Sequence, residues 1–528
     1  MWCVTSYKQR LPTYPKPVHK DNNVMRRNTG FFVLLGISLL VPLIAMTLIP
    51  LADTSEPRYA EIARLMYESG DWITPWFAPG NPFWGKPPLS FWLQAASMHL
   101  FGPTEFAARL PSWLVTVITL GLLYRCCATL FNATTARLAV LIYATSALSF
   151  ISSGAVLTDP FLALGTTLCM TGWIMAANSS KVFWRYSFFI GLVVGLLAKG
   201  PLILVLSGGA IVLWMLFYPQ ARRTTLSLPW AKGIALTILL SAPWYLAAEI
   251  KTPGFLNYFF VGEHFLRFID PGWEGDLYGT AHKAPFGTIW YYWLQASFPW
   301  GFAGLVILMK GLLQTTQRTK MRQYLSDPRL GYFLAWSLFT PLFFTVSGNI
   351  LWTYILPSLG GFSICLAYAW PKSSTKQYSA SEKTSFATRA AGPTFLAMIA
   401  PSAIVALIVV VSYTPQLLKT EKLLVQHTRT TGPSDIPLYY LDEVPFSARF
   451  YSFESAKPLK EHEIINKMNS GQNFWLAVPK NRLESTETRF NQPVFATKQH
   501  NLYLINSPGQ YELTARAKQT HLNDPITQ

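Results

Sequence analysis

The sequence predicts an all-α polytopic membrane protein with about 11 or more transmembrane helices and a small C-terminal α/β domain. Of its 528 residues, 51% are hydrophobic and 13% are charged, whereas soluble domains carry roughly 25% charged residues. Apolar runs long enough to cross a bilayer recur along the chain. The residues after 412 are polar instead, and they mix short strand-like runs with a helix-like stretch.

Eleven apolar runs have the length of a membrane span. Their approximate bounds are 31–50, 107–130, 133–153, 159–178, 183–198, 201–218, 231–249, 289–312, 330–347, 350–370 and 393–412. The first run follows a polar tail and lacks a small-x-small cleavage site, so we expect a membrane anchor and not a cleaved signal peptide.

The basic charge of the chain predicts its orientation. The formal net charge is +17, which raises nucleic acid as a partner, but the distribution of Lys and Arg favours another explanation. If the N-terminus is cytoplasmic, the inner segments carry 22 Lys and Arg against 8 in the outer loops before residue 413. This bias predicts a cytoplasmic N-terminus, an outer C-terminal domain and no nucleic-acid partner.

Three parts of the chain follow from these patterns. We expect a cytoplasmic tail at 1–30, a transmembrane domain at 31–412 with outer loops 51–106 and 250–288, and an outer domain at 413–528. In the outer domain, the strand-like runs are Pro437–Leu441, Asn473–Val478 and Leu502–Ile505, and the helix-like stretch is Lys460–Ser470. A polar stretch at 371–390 reads as a cytoplasmic linker.

The first outer loop begins with a carboxylate. Asp53 directly follows the first span, where an unpaired charge is costly, and Arg58 and Tyr59 come shortly after it. Residues 57–69 predict an amphipathic helix in the membrane interface, with Ile62 on its apolar side together with Leu65 and Met66. A helix cap and an ordinary surface helix would explain this pattern equally well.

The second outer loop carries Glu263 beside His264, Arg267 one helical turn later, and then His282. A histidine and glutamate cluster is one source of metal ligands, but the spacing is not that of HExxH. A polar loop over the mouth of a helical bundle explains these residues without any metal.

Further charged residues lie at the outer ends of spans. Asp159 precedes a proline, which is also an ordinary arrangement at a helix start, and Lys199 lies in an outer turn. With Lys86 of the first loop, the outer face gathers carboxylates, cations and many aromatic rings. Cations suit a lipid phosphate, carboxylates can accept a proton from an attacking group, and rings suit the apolar faces of sugars. The residues therefore predict an enzyme that uses a polyprenyl-phosphate-linked sugar.

Several motifs make a family resemblance specific. The segments DTSEPRYAEIARLMYESGDW, FWGKPPLSFW and FGPTEFAARLPS resemble the first outer loop of the lipid A aminoarabinose transferase family. VLTDPF, LLAKGPL, NYFFVGEHFLRF, HKAPF and SGNILWTYILP follow in the family's order, so the resemblance covers roughly 50–370. It implies a clan C glycosyltransferase fold, related to the protein O-mannosyltransferases, in the bacterial inner membrane. The implied reaction transfers a sugar from undecaprenyl phosphate to lipid A or another envelope glycan on the periplasmic side.

The resemblance also implies roles for individual residues. The implied catalytic carboxylates are Asp53 and Asp159, with Glu56 as an alternative because two extra residues separate Asp53 from Arg58. The resemblance implies that Lys86, Arg267 and Tyr354 bind the donor phosphate and that His264 lies in the active site. From the outer-face residues themselves, we add Arg58 and Lys199 to the donor-phosphate residues. The substrate-binding candidates are Tyr59, His264, Glu263 and His282.

The metal is the point at which this chain departs from the family. Relatives have Phe-Glu-Lys-Pro where this chain has Trp84-Gly85-Lys86-Pro87, and their glutamate shares a metal with the histidine. We therefore assign no metal ligand and expect no required cofactor, and leave a divalent metal open.

Two other functions compete with this one. A protein O-mannosyltransferase-like enzyme differs only in its acceptor, while a transporter or flippase of lipid-linked sugars belongs to another class. Transporters place ionisable residues near the bilayer midplane and often show inverted repeats, whereas here these residues lie at one face and no repeat is visible. The expected partners are the undecaprenyl-phosphate-linked sugar, a lipid A, glycan or protein acceptor, and membrane lipids.

Overall fold

The structure, a computed structural model, describes residues 22–270, 273–279, 282–371, 383–431, 436–482 and 492–505. Most of the predicted tail at 1–30 and of the predicted linker at 371–390 lies outside these residues.

The part up to residue 413 is almost entirely helical. Its α-helices are α1 (Asn22–Leu48), α2 (Ser55–Ser69), α3 (Leu89–Phe101), α4 (Glu105–Leu130), α5 (Ala133–Thr145), α6 (Ala147–Ser153), α7 (Asp159–Asn178), α8 (Val182–Lys199), α9 (Leu202–Phe217), α10 (Trp230–Lys251), α11 (Arg267–Ile269), α12 (Thr288–Ala296), α13 (Trp300–Leu313), α14 (Thr315–Ser326), α15 (Pro328–Phe344), α16 (Leu359–Ala369) and α17 (Lys383–Tyr413). A π-helix spans Asn257–Leu266, and 3-10 segments span Pro219–Ser227 and Trp352–Ser358. A short hairpin pairs β1 (Trp76–Ala78) with β2 (Asn81–Pro82).

The predicted multi-span class is confirmed, while the count of about eleven or more spans stays a prediction. Within the described residues, six helices are long and apolar enough to cross a membrane: the apolar parts of α1 and α17, and α4, α7, α8 and α10. The count reaches eight if two bent pairs each form one span, α5 with α6 at 69° and α12 with α13 at 109°. The runs at 201–218, 330–347 and 350–370 give shorter helices. In the last of these, a 3-10 segment containing Pro357 replaces the first α-helical turns.

Helices α7 and α8 form a tight antiparallel pair in the core. A Cβ at Gly165 of α7 would lie 2.9 Å from the Gly191 carbonyl oxygen of α8, and one at Gly172 would lie 2.6 Å from the Phe188 nitrogen. Small residues at such contacts let two helix backbones approach closely inside a membrane. Because the pair is antiparallel, the start of α7 at Asp159 meets the end of α8 at Lys199.

The C-terminal region is a small mixed α/β domain, as predicted. Its strands are β3 (Leu438–Leu441), β4 (Lys457–Leu459), β5 (Phe474–Pro479), β6 (Phe495–Ala496) and β7 (His500–Ile505), in the order β4-β3-β5-β7-β6. Strand β3 is parallel to β4 and β5, and β7 is antiparallel to β5 and β6. Its helices are α18 (Lys422–Thr431), α19 (Phe446–Ser452) and α20 (Glu461–Asn469), and 3-10 turns occupy Pro415–Leu417 and Lys480–Arg482. The predicted strands and helix match β3, β5, β7 and α20, while β4, β6, α18 and α19 were not predicted from the sequence.

Helix α2 forms where the sequence predicts it, but its apolar side packs inside the protein. Ile62 and Met66 are buried in a cluster with Phe91 of α3 and Phe450 of α19. A membrane-interface position for this face is therefore wrong, since neighbouring helices and not lipid cover it. Both outer loops and the C-terminal domain meet around α2, so they lie on the same side of the helical bundle.

Candidate active site

A cavity of about 160 Å³ lies where the first outer loop, the end of α8, the π-helix and the segment before α16 meet. Its polar lining comes from residues far apart in sequence: Lys86, Lys199, Glu263, His264, Arg267, Ser347, Asn349 and Tyr354. Its apolar lining comes from the start of α9, from Phe268, and from the end of α15: Pro201, Leu202, Val205, Phe268, Phe343 and Phe344. Six of the predicted site residues therefore share one cavity.

Lys86 reaches this cavity from a stiff loop. Pro87 and Pro88 follow it and lead into α3, and its Nζ lies 3.2 Å from Glu263 Oε2. Burial opposes the charged form of Lys86, but the Glu263 carboxylate together with Tyr59 and Tyr354 outweighs burial, and the pKa of Lys86 is raised. Lys86 thus stays a cation in the cavity wall.

Glu263 joins two cations. Arg267, one turn later, donates to Glu263 Oε1 at 2.9 Å and also pairs with Asp276 Oδ2 at 3.3 Å. Burial would raise the pKa of Glu263, but the positive charges of Lys86 and Arg267 outweigh it, and its pKa is lowered. The carboxylate therefore fixes the positions of both cations and remains ionised.

Lys199 enters the cavity from the end of α8. Its Nζ donates to Asp159 Oδ1 at 2.7 Å, and both side chains are buried. The same Nζ lies 5.0 Å from the ring centroid of Tyr354. Lys199 and Asp159 are 40 residues apart in the sequence, and the close packing of α7 on α8 brings them together.

His264 is held by two backbone carbonyls. Its Nδ1 lies 2.7 Å from Phe259 O, and its Nε2 lies 2.9 Å from Lys199 O. Burial lowers its pKa, with the two carbonyls acting in the opposite direction. A carbonyl oxygen can only accept and a neutral imidazole has one N–H, so one of these two contacts is a hydrogen bond and the other nitrogen faces a carbonyl oxygen.

A metal of the kind that the family resemblance implies does not fit these residues. Gly85 supplies no carboxylate, and a Cβ there would lie 2.9 Å from the Phe83 ring. No group of three or more His, Cys, Asp or Glu side chains with metal-binding geometry occurs in the described ranges. No step of the chemistry below is therefore assigned to a metal.

Asp53 lies outside the cavity, at the interface with the C-terminal domain. Its Oδ1 accepts from the Ser447 backbone N at 2.9 Å, and its Oδ2 accepts from the Ser447 hydroxyl and, at 3.1 Å, from Gln499 Nε2. Its own backbone N donates to Lys419 O at 2.7 Å. Burial raises the pKa of Asp53, against the opposing effect of these hydrogen bonds. The carboxylate acts in this structure as an attachment point for the C-terminal domain.

Glu56 lies deeper, in a two-pronged pair with Arg109. Arg109 Nε and Nη2 donate to its two oxygens at 2.7 and 2.8 Å, and the Val156 backbone N donates to Oε1 at 3.1 Å. Val156 lies just before Asp159, so Glu56 contacts the segment that carries the second predicted carboxylate.

The remaining predicted residues, Arg58, Tyr59 and His282, do not line the cavity. Arg58 Nη1 donates to Tyr278 O at 2.6 Å and the guanidinium lies 5.2 Å from the Tyr59 ring. The His282 backbone N donates to Asn349 Oδ1 at 3.1 Å. Sequence reasoning missed Asp276 as a site residue and Asn349 as a lining residue, because their partners in the site, Arg267 and His282, lie 9 and 67 residues away in the sequence.

Comparisons with known proteins agree with the fold. Residues 38–259 match the family described as dolichyl-phosphate-mannose-protein mannosyltransferase. Over 344 residues the chain is 31% identical to the undecaprenyl phosphate-alpha-4-amino-4-deoxy-L-arabinose arabinosyl transferase of Serratia proteamaculans, covering 63% of this chain and 58% of that protein. The Yersinia pestis protein of the same name is 32% identical over 347 residues, with coverages of 65% and 59%. The chain therefore matches less than two thirds of the length of these relatives.

A solved structure extends the likeness to nearly the whole chain. The crystal structure of ArnT from Cupriavidus metallidurans bound to undecaprenyl phosphate superposes with a TM-score of 0.71 at 17% identity, covering 91% of this chain and 99% of that one. This protein is thus a multi-span membrane protein that shares the fold of the Cupriavidus metallidurans structure. The predicted resemblance to the aminoarabinose transferases, and through the matched family to the protein mannosyltransferases, is confirmed.

Proposed function

We propose that this protein is a glycosyltransferase that moves a sugar from undecaprenyl phosphate to lipid A or another envelope glycan. The observation that carries the proposal is the meeting of Lys86, Lys199 and Arg267 in one cavity with a partly apolar wall. The relatives named above act on an undecaprenyl phosphate sugar by their names, and the protein with the same fold holds undecaprenyl phosphate. Both support the same donor for this chain.

The cavity suits a lipid phosphate. Three cations can form charge-assisted hydrogen bonds to phosphate oxygens, and Arg267 can bind two oxygens at once. Leu202, Val205 and Phe343 lie beside these cations, where the first isoprene units of the donor would begin. Glu263 and Asp159 keep the cations in place through these ion pairs.

The proposed reaction breaks the bond between the sugar C1 and the phosphate oxygen. The bond electrons go to the phosphate, where Lys86, Lys199 and Arg267 stabilise the developing charge. A new bond forms between C1 and the acceptor oxygen, whose proton passes to a carboxylate. Asp159 is the candidate that the geometry favours, because its partner Lys199 lines the cavity. Glu56 is connected to the same segment, while Asp53 contributes by docking the C-terminal domain.

Reconstituted transfer tests this function. The full chain in liposomes, given undecaprenyl-phosphate-linked aminoarabinose and lipid A, should yield lipid A heavier by one sugar in mass spectrometry. The match to the mannosyltransferase family supports a protein hydroxyl as the second candidate acceptor, tested with a polyprenyl-phosphate mannose donor and periplasmic proteins. Transfer from nucleotide sugars alone, or transport of the lipid-linked sugar without transfer, would overturn the proposal.

From the uneven distribution of Lys and Arg, we further propose that the site faces the periplasm. Reporter fusions after Ala176 and Gln220 should be active only with a cytoplasmic reporter, and a fusion after Tyr413 only with a periplasmic one. The two loops and the C-terminal domain share one side of the bundle. A cytoplasmic Tyr413 fusion would therefore place the whole site with nucleotide sugars and contradict the proposal.

Chelation should leave most of the transfer activity intact. Both ring nitrogens of His264 face backbone carbonyl oxygens, and Gly85 offers no carboxylate beside it. The measurement is the initial transfer rate before and after EDTA treatment and dialysis. Activity that EDTA removes and that zinc, magnesium or manganese restores would contradict this expectation.

A further inference from the structure

We infer that the boundary between the first outer loop and the C-terminal domain holds an acceptor-binding surface for a phosphorylated saccharide. The surface consists of Arg58, Phe446 and Arg449, and we call it the arginine seam. The inference rests on the proposed function, since it assigns where that enzyme binds its acceptor.

The Asp53 contact positions the seam. Ser447 of α19 donates twice to Asp53, which fixes the start of α19 against the first outer loop. Phe446, the residue before Ser447, then packs edge-on against Phe77 with ring centroids 5.3 Å apart. This docking brings a side chain of the C-terminal domain next to Arg58 of α2.

Two guanidinium groups meet the same ring. The Cζ of Arg58 lies 6.0 Å from the Phe446 ring centroid, and the Cζ of Arg449, one turn along α19, lies 5.2 Å from it. Cations attract an aromatic face, so Phe446 holds both groups in place. All three side chains are partly exposed, so a ligand can reach them.

The two arginines of the seam differ from the other cations nearby because they have no carboxylate partner among the described residues. Lys86, Lys199, Arg267 and Arg109 each pair with a carboxylate. Among the residues that the structure describes, neither Arg58 nor Arg449 forms an ion pair with a carboxylate. Arg58 Nε is also buried without a hydrogen-bond partner, although its Nη1 donates to Tyr278 O. A buried donor without a partner costs free energy, which an anionic ligand would recover.

Tyr278 connects the seam to the loop that carries Lys86. The Tyr278 hydroxyl bonds to the Pro82 carbonyl and the Trp84 backbone N, just before Lys86, while its own carbonyl accepts from Arg58. Burial and the positive charges of Arg267 and Arg58 lower the pKa of His282, against the opposing effect of Asp276. An acceptor phosphate on the seam would place its sugar next to the donor cavity without competing for Lys86.

The test compares two arginines that each contact a phenylalanine ring in the C-terminal domain. Arg449→Gln removes a seam cation, and Arg429→Gln removes an exposed arginine beside Phe453, 5.5 Å from its ring. Two probes are used with the full chain: bisphosphorylated lipid A as acceptor in the transfer assay, and a water-soluble diglucosamine bisphosphate in direct binding. Undecaprenyl phosphate binding is measured in parallel.

We expect Arg449→Gln to raise the KM for bisphosphorylated lipid A, and the Kd for the diglucosamine bisphosphate, by about tenfold or more. The kcat and the undecaprenyl phosphate affinity should change less than about threefold, as should all values for Arg429→Gln. Arg449→Lys should recover part of the affinity, since it restores the charge but not the two-pronged geometry. Arg58→Gln should weaken the same two constants.

Unchanged acceptor constants in Arg449→Gln would overturn the inference, as would an equal loss for dephosphorylated lipid A or a parallel loss of undecaprenyl phosphate binding. An equal loss with a phosphate-free protein acceptor would likewise overturn it. The binding measurement needs no transfer, so it separates this inference from the proposed function. A seam that binds the bisphosphate in a chain that transfers no sugar would contradict the function alone.

Discussion

Lys86→Ala is expected to lower kcat/KM for sugar transfer by about 100- to 1000-fold, the usual cost of removing one preorganised donor from a developing negative charge. Lys86 lies in the cavity wall 3.2 Å from Glu263, and the following prolines stiffen its loop. Its loss removes one of three cations from the proposed phosphate site and frees Glu263 to repel the phosphate. The measurement is initial transfer rate against donor concentration, with undecaprenyl phosphate affinity in parallel.

Lys251→Ala is the matched control for this change. Lys251 ends α10 on the same side of the bundle and also pairs with a carboxylate, Asp71, at 2.7 Å, but it does not line the cavity. Its loss should change kcat/KM by less than about threefold, since exposed ion pairs contribute little. Equal effects of the two substitutions, or a Lys86→Ala protein within threefold of the wild type, would exclude Lys86 from the phosphate site.

Arg109→Ala is expected to lower the free energy of unfolding by about 3–5 kcal/mol, the range for breaking a buried ion pair by removing one partner. Arg109 pairs with Glu56 through two nitrogens and also donates to the carbonyls of Met46, Ile49 and Pro50. Its removal leaves Glu56 without its cation and the end of α1 without these donors. Denaturant unfolding in detergent, followed by tryptophan fluorescence, measures the loss.

The control for Arg109 is Arg185→Ala, an exposed arginine of α8 whose Nε donates to Ser227 O. It should change the free energy of unfolding by less than about 1 kcal/mol. Glu56→Gln in the Arg109→Ala background should recover part of the lost stability, because it removes the unpaired charge. A loss below 1 kcal/mol for Arg109→Ala would show that water already reaches this pair.

Much of the fold was predictable because the bilayer restricts what a chain can form. An apolar run of spanning length must hydrogen-bond its own backbone, so composition and run length indicated helices at all eleven positions. The number of full spans was not predictable in the same way, since α5 and α6 bend at their junction and the segment at Trp352–Ser358 winds as a 3-10 helix. Such bends depend on packing partners, which hydropathy does not record.

The site was predictable as a set of residue types, and less so as an arrangement. Lys86, Lys199, Glu263, His264, Arg267 and Tyr354 line one cavity, as a shared phosphate site requires. The resemblance assigned Asp53 to the chemistry, whereas its contacts in the structure are with Ser447 and Gln499, roughly 400 residues away in the sequence. No local pattern in the first outer loop could indicate a partner that distant.

The sequence alone determined the membrane class, the polar C-terminal α/β domain, and the charged loops, because these follow from composition and short-range periodicity. The tertiary structure alone decided which carboxylate each cation holds. Lys199 pairs with Asp159 because glycines let α7 and α8 approach closely. Arg109 pairs with Glu56 because α1, α2 and α4 converge at that point. It also decided that Arg58 and Arg449 face one ring without a carboxylate, since that depends on how the last domain docks on the first loop. Ion pairs of this kind act over a few ångströms, and only the folded chain sets those distances.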